Sequence, residues 1–163
     1  AGGADDTDSV TNVDLFDATM NTFTATTPLL HDRLYLSGST LGSGRVLVVA
    51  GKNANVSPLK STELYDPTAA TWTAGPNVDG VRTAAAVVTL QSGNAISIGG
   101  YDQLTNKSIP NVELFDDAAG TWTVLPPLAK GRAIATATLL LDGRVLVVGG
   151  SGPSALSACE ISQ

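Results

Sequence analysis

Few side chains in this 163-residue sequence could act on a substrate, and their spacing limits the chemistry open to them. The one histidine, His31, stands beside Asp32. Adjacent residues at a strand end point to opposite sides, so a base with its orienting carboxylate does not result. A single histidine excludes multi-histidine metal sites, and a single cysteine, Cys159, excludes an intrachain disulfide or a cysteine-based zinc site. Asp5, Asp6 and Asp8 gather three carboxylates that could attract Ca²⁺. Their order lacks the spacing, glycine and terminal glutamate of an EF-hand, so they read as a solvated acidic loop. Arg33, Arg82 and Arg132 could line an anionic pocket, but each is better read as satisfying buried backbone carbonyls. No residue is assigned a catalytic role, no metal ligand is identified, and no cofactor is expected.

Composition narrows the classes further. Hydrophobic residues make up 43% and charged residues 15%, with a net charge of −6. A chain of this length makes one domain and can bury about two-thirds of its unfolded surface. The acidic balance, without a Lys/Arg cluster, gives no footing for a nucleic-acid backbone. The longest apolar run, Ala133 to Leu141, stops at Asp142, short of the ~18 residues of a spanning helix, so membrane insertion is not expected. Residues 1–10 have neither a charged n-region nor an apolar core and do not read as a targeting segment.

What positions the polar residues is a repeat. VDLFDATMNTFT begins at Val13, TELYDPTAATWT at Thr62 and VELFDDAAGTWT at Val112, spaced by 49 and then 50 residues. Arg33, Arg82 and Arg132 keep that spacing, as do GRVLVVAG (44–51), GNAISIGG (93–100) and GRVLVVGG (143–150). The copies run over about 1–49, 50–98 and 99–148, with a partial one over 149–163, within a single domain. Ala1-Gly2-Gly3 resembles the tail of an earlier copy, and Cys159-Glu160-Ile161 matches Val112-Glu113-Leu114. Because arginine, tryptophan (Trp72, Trp122) and the turn aspartates (Asp17, Asp66, Asp116) recur once per copy, they read as scaffold.

Each copy predicts four short strands. GRVLVVGG is an apolar, β-branched run suited to a strand buried on both faces. VELFD alternates, with Val112 and Leu114 on one face and Glu113 and Phe115 on the other. Asp-x-x-x-x-Thr-Trp turns the chain into Thr121-Trp122-Thr123, and prolines end that strand. A strand of small residues follows the arginine, as a crowded centre requires. No segment has a capped helical period. Four antiparallel strands about every 50 residues predict an all-β propeller blade.

The double glycine Gly99-Gly100, the aromatic at Phe16, Tyr65 or Phe115, and the aromatic at Phe23, Trp72 or Trp122 resemble a kelch repeat. Tyr65 to Trp72 has that repeat's spacing; Ala50-Gly51 departs from the double glycine. The resemblance implies kelch-type β-propeller blades, as in the galactose oxidase central domain and bacterial kelch-repeat proteins, in a six- or seven-bladed ring. The copper radical site that some members carry needs several histidines and a tyrosine beside a cysteine, which this sequence does not offer. Such propellers span lectin-like modules, partner-binding domains and a few enzymes.

The copies make two full blades flanked by partial ones. Two chains closing in trans would give a six-bladed homodimer; alternatively the chain is a fragment of a longer one. The second is favoured because residues 158–162 and 11–16 would compete for one strand position. Function is sought where the copies differ, in the long loops between second and third and between fourth and first strands, which share one face. There Lys52, Asn53 and Asn55, and Tyr101, Asp102, Asn106 and Lys107, are the candidate ligand-binding residues. The leading expectation is a non-catalytic module of an extracellular or cell-surface protein that recognises a glycan or a protein. Alternatives are the scaffold of an enzyme whose catalytic residues lie elsewhere, and a purely structural repeat domain.

Overall fold

A computed structural model describes residues 1–5, 9–55 and 57–161. Fifteen strands and no helix occur among these residues. The first sheet is a hairpin of β1 (Asp14–Asp17) and β2 (Thr22–Ala25). The second has four strands in the order β3 (Ser37–Thr40), β4 (Val46–Val49), β5 (Thr62–Asp66) and β6 (Thr71–Gly75). The third orders β7 (Ala86–Thr89), β8 (Ala95–Ile98), β11 (Val112–Asp116) and β12 (Thr121–Leu125). Between β8 and β11 the chain makes a small hairpin, β9 (Tyr101–Asp102) with β10 (Lys107–Ser108). The fourth sheet has three strands, β13 (Thr136–Leu139), β14 (Val145–Val148) and β15 (Cys159–Ile161).

All pairings are antiparallel, and register repeats with the sequence. Leu47 faces Leu64 across β4 and β5, and Ile96 faces Leu114 across β8 and β11. The small-residue strands β3, β7 and β13 lie beside one another, and the Ser39 and Thr89 hydroxyls bond across β3 and β7. Side chains such as those of SGST and TATL permit this approach, as the sequence implied. The result is a β-propeller-like array of sheets.

The double glycine has two separate reasons. Gly99 and Gly149 take left-handed φ values of 64° and 65°; Ala50 manages the same region at 53° in the first copy, whereas a Cβ on Gly99 would press on the Arg132 carbonyl oxygen. The second position is tight at Gly51, Gly100 and Gly150. A Cβ on Gly100 would lie 3.0 Å from the Arg82 Cβ and 3.1 Å from the Thr83 carbonyl oxygen, and one on Gly51 2.7 Å from the Leu34 oxygen. Glycine is there so that each arginine segment can pass close by.

Three apolar layers fill the gaps between sheets. Tyr65 and Trp72 pack with Val13, Leu29 and Val48, and Phe115 and Trp122 with Leu47, Val49, Leu64 and Val78. Ile96, Ile98 and Val112 meet Val145 and Val147 in the third layer. The indole N–H of Trp72 donates to the Thr27 carbonyl at 3.1 Å, and that of Trp122 to the Pro76 carbonyl at 3.2 Å. Each tryptophan thus belongs to packing between sheets, and its one polar atom finds a backbone acceptor.

Candidate functional site

The repeated arginines are buried to within 1% of full burial. Arg33 donates to the Ala50 and Ser61 carbonyls, each at 2.9 Å, and Arg132 to the Gly149 and Ala158 carbonyls at 2.7 and 2.9 Å. Each also pairs with a glutamate on the third strand of its sheet: Arg33 with Glu63, Arg82 with Glu113, and Arg132 with Glu160. The free carboxylate oxygen takes a backbone N–H from the loop before the arginine, of Leu30, Asp79 or Ala129 respectively. Burial pushes the Arg82 guanidinium down, and the Glu113 carboxylate beside it opposes that shift. These pairs tie the loop, the inner strand and the third strand of one sheet together. An anionic ligand at the arginines would have to displace the glutamate that each already holds.

Sequence reasoning named the arginines and their carbonyls but missed the glutamates. The signal was present: Glu113 shares a face with Phe115, and a charge on an apolar face needs a partner. His31 faces Glu63, with Nδ1 at 3.3 Å from the carboxylate, and not Asp32; its side chain is 60% exposed. Asp32 instead accepts from the Ser9 hydroxyl and from the Ala54 N–H at 2.8 Å.

Cys159 departs from expectation. The alignment with Val112 implied a core position, yet the thiol is exposed. Val112 is covered by the neighbouring fourth sheet, whereas no described sheet covers that face of β15. Of the acidic loop, Asp6 and Asp8 lie outside the described residues. No cluster of three metal-ligating side chains occurs among the described residues.

The long loops do gather the expected polar residues, in two places. Lys52 holds its ammonium 5.3 Å from the Tyr35 ring centre, a cation–π contact with an exposed ring. Asn53 accepts the Ser57 N–H at 2.9 Å through its side-chain oxygen, which shapes that loop, and Asn55 is exposed in its turn. In the second place, Tyr101, Asn106 and Lys107 line a cleft of about 660 Å³ with Ser108, Lys130 and Leu156. The Tyr101 hydroxyl bonds to Asn106, fixing one wall. Asp102 is not among the lining residues. Its carboxylate takes the Leu104 N–H and the Thr105 hydroxyl, each at 2.8 Å, and closes the β9–β10 turn. Burial is the largest single influence on its pKa and raises it, but the Thr105 hydroxyl and the Leu104 and Thr105 N–H groups together outweigh that and lower it overall.

Lys130 was not singled out because AKGR runs into the repeated arginine, although its fourth-to-first loop shares a face with the loop of Lys107; the fold brings the two into one cleft. The cleft carries two lysines on a chain whose net charge is −6, together with a phenol, an amide and backbone from Gly131 and Gly152. It can hold a polar ligand by hydrogen bonds and cationic contacts. Tyr35, Ala84 and Ile134 occupy the same position in successive copies, all with left-handed φ near 50°, and two of them are exposed.

A pH dependence follows from the Glu160 carboxylate. Burial raises the Glu160 pKa, but the Ala129 N–H and the Arg132 guanidinium outweigh it and hold the group below its ordinary 4.5. A carboxylate depressed in the folded state stabilises above the unfolded-state pKa, and that stability is lost as pH falls through the lowered value. Urea midpoints should therefore stay level down to about pH 5 and fall below it. Glu160→Gln should flatten the acid limb; an unchanged limb would remove Glu160 from it.

No protein-family model matches the sequence, and no curated protein matches it. Among solved structures the chain is similar to the one titled "Structure of YjhT", with a TM-score of 0.78 at 12% identity. The match covers 95% of this chain and 53% of that one, so this chain spans about half the length of that neighbour. At that identity the likeness concerns the fold, which is β-propeller-like.

Proposed function

We propose that this chain is a kelch-type binding module whose loop face recognises a polar partner, a glycan or a polypeptide, without chemistry on it. The observation that carries this is the cleft of about 660 Å³ at Tyr101, Asn106, Lys107 and Lys130. It lies in loops that differ between copies, on a scaffold whose repeated arginines are each already paired with a glutamate. The few lysines, single cysteine and high Ala, Thr and Gly content suit an exported or cell-surface protein, and that is the setting proposed.

A glycan array and a peptide array, probed with the labelled chain, test the reading. The double variant Lys107→Ala/Lys130→Ala replaces two exposed side chains, so its melting temperature should be unchanged within about 1 °C. Its binding to the strongest array hit should weaken at least about tenfold, the loss of one to two charge-assisted hydrogen bonds. The wider replacement of Asp102, Asn106 and Lys107 should weaken binding too, while loosening the β9–β10 turn that Asp102 closes. Empty arrays, or a hit bound equally by the double variant, would refute the site.

A further inference from the structure

The cations of this chain fall into two sets. Every arginine holds a carboxylate: Arg33, Arg82 and Arg132 hold their glutamates, Arg45 holds Asp117, and Arg144 holds Asp142 at 2.6 Å. No lysine has an ion pair among the described residues, although the sequence carries 15 acidic residues against 9 basic ones. Lys52 lies over the Tyr35 ring, and Lys60 is exposed outside the cleft. Lys107 and Lys130, both exposed, line the one cleft of about 660 Å³.

Two carboxylates that the fold brings beside these lysines are engaged elsewhere. Asp102 stands opposite Lys107 in the β9–β10 register, but its oxygens take the Leu104 N–H and the Thr105 hydroxyl. Glu160 takes the N–H of Ala129, the residue before Lys130, and its other oxygen holds Arg132. Two ammonium groups that share a cleft without an anion repel one another, and an anion bound between them removes that repulsion. On a chain with a surplus of acidic side chains, the unpaired lysines leave the cleft open to an anion from outside.

We infer that the partner taken by this cleft is an acidic polypeptide segment, with glutamate or aspartate carboxylates set against Lys107 and Lys130; this rests on the binding-module reading above. The lysines supply the charge complementarity, and the rest of the lining favours a polypeptide. Pro153 and Leu156 make part of the wall apolar, and Leu104, in the β9–β10 turn beside it, is 73% exposed. These surfaces suit aliphatic side chains that flank acidic ones. A sugar ring calls for an open aromatic face, and the ring in the wall, Tyr101, is half-buried with its hydroxyl held by Asn106. The chain's net charge of −6 does not forbid an acidic partner. At physiological salt the Debye length is about 8 Å, so distant carboxylates are screened while a lysine in contact with its anion is not.

Binding of the full chain to a peptide array, with each glutamate- or aspartate-rich sequence beside its glutamine or asparagine counterpart, and to polygalacturonate tests the assignment. The acidic sequences should bind at least about tenfold more tightly than their amides. Lys107→Ala/Lys130→Ala should abolish that preference, and Lys107→Arg/Lys130→Arg, which keeps both charges, should retain it. Lys60→Ala, which removes a lysine outside the cleft, should leave it unchanged within about twofold. Acid and amide sequences bound equally, and both lost in the double alanine variant, would overturn the acidic partner and leave the cleft as the binding site. An acidic preference that survives the double alanine variant would overturn the partner and the site together. Polygalacturonate bound where no peptide is would replace the polypeptide with an acidic glycan, and binding of neither would overturn the assignment.

Discussion

Glu113→Ala is expected to destabilise the chain by about 3–5 kcal/mol, the cost of leaving a buried guanidinium without its carboxylate. Arg82 is fully buried, and Glu113 is its anionic partner as well as the acceptor for the Asp79 N–H at 2.8 Å. The alanine variant therefore loses three things together: a charge pair, a loop anchor, and the link from β11 to the segment before β7. On a chain of this size the melting temperature should drop by on the order of 10 °C. The cause can be separated from mere loss of volume. Arg82→Met/Glu113→Leu removes both charges and should be less damaging than either single change to alanine, because no unpaired charge stays buried. If the double variant is as unstable as the sum of the singles, the pair is not acting as a coupled unit.

Trp72→Ala should cost a similar amount, about 3–5 kcal/mol, with Trp122→Ala near the lower end because that ring is only partly buried. Trp72 is 8% exposed, packs with Val13, Leu29 and Val48, and donates to the Thr27 carbonyl across the gap between the first two sheets. Its loss opens a cavity between sheets and strands that carbonyl. Chemical denaturation of Trp72→Phe distinguishes the two contributions, since phenylalanine keeps most of the packing without the N–H. An unchanged midpoint for Trp72→Ala would remove the claim that the repeated aromatic is packing.

Much of the fold was legible because it is repetitive. GRVLVVGG marked β4 and β14, VELFD marked β11, and the aspartates of the turns accept N–H groups as their spacing implied: Asp66 from Thr68 at 2.8 Å and Asp116 from Ala119 at 2.9 Å. What periodicity conveys is position along a strand. It does not convey which side chains meet across a sheet, so Arg82 was placed against carbonyls and its partner 31 residues on was not seen. Nor does a repeat indicate that its last copy is uncovered: Cys159 matches the buried Val112, yet its thiol is exposed.

The candidate site was legible only in part, for the opposite reason. Loop residues carry no period, so Lys52, Asn53 and Asn55 could be grouped with Tyr101, Asp102, Asn106 and Lys107 only by their shared face and their polarity. The fold separates them: Lys52 lies over Tyr35, Asp102 serves its own turn, and Tyr101, Asn106 and Lys107 share a cleft with Lys130. Lys130 lies in a fourth-to-first loop on the face the sequence already assigned to Lys107, but which loops of that face meet in one cleft is set by the fold.

The most direct measurement is a hydrogen-exchange footprint of the chain saturated with its strongest array hit. Recognition by the unrepeated loops should slow exchange at 101–108, 130–131 and 151–156, and leave the turns at 42–44, 92–94 and 142–144 unchanged. Protection confined to those turns, or centred on the Arg33, Arg82 and Arg132 segments, would contradict the division of the molecule into a repeated scaffold and a binding face.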